Sequence, residues 1–95
     1  LAGPREIQLE EELALARRYI EIEALRFGDR LRVDWQLPRD IPRLMVPALS
    51  IQPLVENAIR HGVERLPSGG LVEIALTTTP ENVVVRISNP LVPYS

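Results

Sequence analysis

The hydrophobic period of the chain changes abruptly at Gly28, and few folds accommodate that change. Before it, "REIQLEEELALARRYIEIEALRFGDR" has a helical period: Leu9, Leu13, Ala16, Ile20 and Phe27 fall on one stripe, with Tyr19 and Ile22 flanking it. Glu10, Glu11 and Glu12 crowd the amino end, and Arg17, Arg18 and Arg26 lie further on, the polarity a helix dipole favours. The charged side reads as solvated. After Gly28, "RLRVDWQL" alternates. Leu31, Val33, Trp35 and Leu37 point one way, and Arg32, Asp34 and Gln36 the other, as in a strand with one buried face. Phe27 and Trp35 are expected in the core.

The rest of the chain continues in the same manner. "PRDIPRLMVP" is a proline-punctuated connection. "IQPLVENAIRHG" returns to helical period up to Gly62. Pro53 leaves two starts open: a helix that begins near Ser50 with Pro53 in its first turn, or one that begins at Pro47 and bends. "VERLPSGG" is loop. "LVEIALTTT" and "NVVVRIS", joined by "PEN", predict two strands of an antiparallel hairpin. The order helix, strand, helix, strand, strand predicts a two-layer α/β sandwich with helices on one face of a sheet.

Ninety-five residues make one domain, 1–95. A net charge of −2 argues against a generic nucleic-acid binder. The absence of cysteine excludes disulfide scaffolds and thiolate chemistry, and one His with three Asp leaves little for a metal cage made of protein alone. No apolar run approaches the roughly 20 residues that cross a bilayer, so direct membrane insertion of this segment is not expected. A start at Leu1 rather than Met, and an end directly after a strand-like run, suggest a piece of a longer protein.

On a helical wheel, Ile51, Val55, Ala58, Ile59 and Gly62 cover one side of the second helix. Asn57 lies nearly opposite, with Pro53, Arg60 and His61 within a turn of it. An amide, a guanidinium and an imidazole together suit a polyphosphate with a divalent cation. A neutral amide oxygen is a hard ligand that Mg²⁺ shares with phosphates and water. Arg pairs with phosphate through its planar fork, and His can donate to phosphate or orient a water. Spacing alone also allows the plainer reading, in which the trio decorates an exposed face.

The stretch "QPLVENAIRHG" resembles the N box of sensor histidine kinase ATP-binding domains, in the form recurring in the LytS-type branch. "LEEELALARRYIEIEALRFGDRL" resembles the helix and strand that precede that box there. "VVVRISNP" resembles the start of the next nucleotide motif, in the "SNP" variant of AlgZ/FimS-like members rather than the usual "DNG". The resemblance covers nearly the whole chain. It implies the front part of a Bergerat-type ATP-binding fold, without the lid and the glycine-rich carboxyl-terminal motifs, and therefore without kinase activity of its own.

By the same resemblance Asn57 is the Mg²⁺ ligand, Arg60 meets the phosphates, His61 is a polar neighbour in the site, and Asn89 stands where an Asp usually reads the adenine amino group. Pro90 and Leu91 replace the residues that open the usual glycine-bearing motif. Pro53 occupies the place of a Glu general base in gyrase-like ATPases, which disfavours attack by water. Glu56 is read as solvated or as touching only the water shell of the cation.

The implied function is supply of Mg²⁺ and ATP for autophosphorylation of a His on the dimerisation helix of the same kinase, followed by transfer to a response regulator. The implied location is the cytoplasmic side of a membrane-anchored bacterial sensor. The alternative is a degenerate relative that serves as an interaction module without ATP turnover.

Overall fold

The computed structural model describes residues 5–79 and 81–89. The elements in chain order are β1 (Glu6–Gln8), α1 (Leu9–Phe27), a 3-10 turn (Gly28–Arg30), β2 (Leu31–Gln36), β3 (Met45–Pro47), α2 (Gln52–Gly62), β4 (Gly70–Thr78) and β5 (Val83–Ser88). The main sheet has the order β2-β4-β5. β2 and β4 run parallel, Leu31 opposite Gly70, because α2 carries the chain back between them. β4 and β5 form the expected antiparallel hairpin, closed by hydrogen bonds between Thr79 and Asn82. The short β1 and β3 pair separately; both lie in stretches whose sequence shows no strand alternation.

One core joins the two layers. The α1 stripe of Leu9, Leu13, Ala16, Ile20 and Phe27 and the α2 side of Ile51, Val55, Ala58 and Ile59 pack against Val72, Ile74 and Leu76 of β4. Val33 and Trp35 of β2 and Val83, Val85 and Ile87 of β5 close the edges half-buried. Each strand therefore offers one parity of side chains to the helices, and the chain is a two-layer α/β sandwich. Trp35 shields its ring under the Arg17 guanidinium, 4.5 Å from the ring centre. Ile22 does not flank the core: it is 59% exposed.

α2 begins at Gln52, so Pro53 sits in its first turn, where no intrahelical N–H is needed, and the helix does not bend there. No side chain of its own caps it. Glu12 does so from α1. Its carboxylate accepts from the backbone N–H of Leu49 (3.1 Å), Ile51 (2.8 Å) and Gln52 (3.3 Å). Leu49 takes a left-handed φ of 62° in the turn that presents these amides. Glu12 is thus no member of the solvated face: it is completely buried. At the other end, Arg30 Nη2 donates to the carbonyls of Val63 (3.2 Å), Glu64 (3.4 Å) and Leu66 (2.7 Å). Opposite charges therefore meet the two poles of the helix.

Glu12→Ala leaves the three amides at the start of α2, from which the buried Glu12 carboxylate accepts, without their acceptor. It is expected to cost about 3 kcal/mol in urea unfolding, whereas Glu11→Ala, on the exposed side, stays within about 0.5 kcal/mol of the parent. Equal effects of the two substitutions would contradict the cap.

Candidate functional site

The buried side of α2 leaves a polar flank outside. Asn57, Arg60 and His61 are all exposed, as the wheel predicts, with Pro53 exposed at the first turn. They do not converge equally. Asn57 lines a groove of about 370 Å³ between α2 and β5, together with Leu54, Ala58, Val85, Arg86, Ile87 and Asn89. Arg60 and His61 are not among its walls. The groove joins two of the four anticipated site residues from distant parts of the sequence. A groove that mixes apolar side chains with two amides and a guanidinium offers a ligand both contact surface and directed hydrogen bonds.

Asn89 reaches its place because Gly62 has no side chain. A Cβ built on Gly62 would lie 2.6 Å from Asn89 Cβ and 2.8 Å from its Nδ2. The last residue of α2 is thus a seat for the amide that follows β5. Gly62 reads from the sequence simply as part of the core side; the close approach of a side chain near the far end of the chain leaves no periodic trace. Pro90 and Leu91 lie outside the described residues.

The other flank of α2 faces α1. Burial pushes the Tyr19 phenol above its ordinary value of 10.0, and the negative charges of Glu23 and Glu56 push it further; Arg60 and Arg26 act in the opposite sense. Arg60 therefore stands within electrostatic reach of Tyr19 on the α1 side of the flank. Glu56 is half-buried there and accepts a long hydrogen bond from Gln52 Nε2 (3.4 Å). Among the described residues no three His, Asp or Glu side chains gather as a cation cage.

No protein-family model matches the chain. Curated proteins do. The chain is 32% identical over 83 residues to the sensor histidine kinase BtsS of Escherichia coli, which covers 87% of this chain and 15% of the relative. It is 36% identical over 87 residues to the sensor histidine kinase YpdA of Escherichia coli, 92% of this chain and 15% of the relative. It is 32% identical over 90 residues to the sensor protein LytS of Oceanobacillus iheyensis, 94% and 15% respectively. The chain thus spans 15% of the length of these relatives.

Gly62→Ala sets a gain in helix propensity of about 1 kcal/mol against overpacking on Asn89 of about 1–3 kcal/mol. The expected result is a net loss of stability, with a shifted amide resonance for Asn89; a more stable variant would show that Asn89 leaves the helix end freely.

The Tyr19 shift has a defined sign. A raised native pKa means that the folded state holds its proton longer than the unfolded state does. The stability this confers is fully present below pH 10.0 and is lost as the pH climbs from there through the native value. Tyr19→Phe should flatten that alkaline loss in thermal unfolding measured across pH 9 to 12.

Proposed function

We propose that the chain is the front part of the ATP-binding domain of a sensor histidine kinase of the LytS type, with a Bergerat-type arrangement of α2 against the sheet. The observation that carries this reading is the groove between α2 and β5 whose lining includes both Asn57 and Asn89, with Leu54, Val85, Arg86 and Ile87. Likeness to sensor histidine kinases over about nine-tenths of the chain supports it.

In this reading the adenine ring lies against Leu54, Val85 and Ile87, and the Asn89 carbonyl oxygen accepts from its exocyclic amino group. An amide in place of the usual carboxylate keeps that acceptor but adds a donor, so it can also meet a ring nitrogen. Asn57, one turn before the end of α2, offers its oxygen to Mg²⁺. When bound, that ion neutralises phosphate charge during transfer. Arg60, whose guanidinium is always charged, pairs with the phosphates, and exposed His61 supplies a further donor to them.

Pro53 contributes by what it lacks. It stands exposed in the first turn of α2 and can neither accept nor relay a proton. That fits delivery of the γ-phosphoryl group to a protein side chain better than activation of water. The phosphoacceptor His would lie on the dimerisation helix of the same kinase, and a response regulator would be the next acceptor. Among the described residues no helix is long and apolar enough to cross a membrane.

Calorimetric titration of ATP into the intact protein, with and without Mg²⁺, tests the assignment. Binding should require Mg²⁺ and weaken on the order of 10–100-fold in Asn57→Ala, the loss of one strong polar contact, with the unfolding curve unchanged because Asn57 is exposed. Undiminished Mg²⁺-dependent binding in Asn57→Ala would remove the proposed ligand. Absence of any ATP binding in the folded protein would favour an interaction module instead.

A further inference from the structure

Three large apolar side chains of α1 stand in water. Leu15, Ile22 and Leu25 are 39%, 59% and 88% exposed. Exposed leucines scattered singly are ordinary, but these are not scattered. With Glu11 and Arg18 they occupy positions 11, 15, 18, 22 and 25. That alternating spacing of four and three keeps one stripe of a helix turned toward a partner helix. The stripe of Leu9, Leu13, Ala16, Ile20 and Phe27 points the other way, into the core. One helix thus carries two apolar stripes, and the fold uses one of them.

Charge selects what fits the second stripe. Glu10 and Glu11 lie in the first turn of α1, and Arg17, Arg18 and Arg26 lie further along. A parallel copy of the same helix would set Glu11 against Glu11 and Arg18 against Arg18 within the seam. An antiparallel copy avoids both clashes. With Leu15 opposite Leu25 of the second copy, Arg18 falls opposite its Ile22 and next to its Glu21. The Arg18 stem can then cover the isoleucine while the guanidinium meets the carboxylate. Two-fold symmetry makes every contact twice, giving two leucine layers and two Arg18–Glu21 pairs about the axis.

We propose that the outer stripe of α1 is a self-association surface, occupied by α1 of a second copy of this chain in antiparallel orientation. None of its residues lines the groove between α2 and β5, so the proposal stands apart from the nucleotide reading. It also differs from pairing through a dimerisation helix elsewhere in a kinase.

Sedimentation equilibrium of the 95-residue chain should show a monomer–dimer equilibrium with a dissociation constant on the order of 10 μM, as expected of a small interface. Leu25→Glu alters a side chain that packs against nothing in the monomer. It should weaken association at least about tenfold while leaving circular dichroism and the unfolding midpoint of the monomer unchanged. The chain has no cysteine, so Leu15→Cys and Leu25→Cys report on register directly. Mixed under mild oxidation, the two variants should cross-link to each other faster than either does to itself. A strict monomer, a dimer indifferent to Leu25→Glu, or faster self-linking of Leu25→Cys would each overturn the proposal. The first would assign the stripe to another segment or to a different protein.

Discussion

The structure depends on how α2 is held at its two ends. Its amino end has no capping side chain of its own, and its first turn contains a proline. The three amide groups of the preceding turn converge instead on the buried carboxylate of Glu12. The segment that follows the carboxyl end of α2 delivers the carbonyls of Val63, Glu64 and Leu66 to Arg30. Both charged groups come from the opening helix and the 3-10 turn that follows it, and both match the sign of the pole they meet. A free carboxylate buried without partners would be costly, and so would a helix end without acceptors or donors. Each defect satisfies the other. These contacts give α2 a directional anchor at each end, which apolar packing, with no direction of its own, does not supply.

The axial position of α2 decides the site. Asn57 lines the groove only because α2 lies where its outer flank borders β5. Asn89 reaches the same groove only because α2 ends on a glycine over which its side chain can lie. A slide of α2 by one turn, about 5.4 Å, would separate the two amides. The Glu12 carboxylate and the Arg30 guanidinium, at opposite ends, restrict such a slide. Tyr19, partly buried against the core, lies within electrostatic reach of Glu23 on α1 and of Glu56 and Arg60 on α2, and so couples the two helices.

Much of the fold was legible without coordinates. The stripe of α1, the alternation of β2, the buried side of α2 and the β4–β5 hairpin all follow from periodicity, because burial on one face imposes a repeat on the sequence. Asn57, Arg60 and His61 on the outer flank of α2 follow for the same reason. Ile22 shows where that inference fails: two residues beyond Ile20 it is turned about 200° away from the stripe, on the outer side of the helix, and it is 59% exposed. Glu12 shows a second limit. A glutamate in the first turn of a helix looks the same whether it faces solvent or another helix, and only the partner distinguishes them.

The sequence by itself determined the elements and their faces, since side-chain period and hydrophobicity are local properties of the chain. The same period in its second helix also determined which polar residues lie on the outer flank. The tertiary structure alone decided which polar groups meet. Glu12 and the turn before α2, Arg30 and the turn after it, and Gly62 and Asn89 are contacts between segments distant along the chain. Each rests on one close approach rather than on a repeat. Such contacts leave no pattern to read, because a single hydrogen bond or a missing Cβ constrains one position at each end and nothing between them.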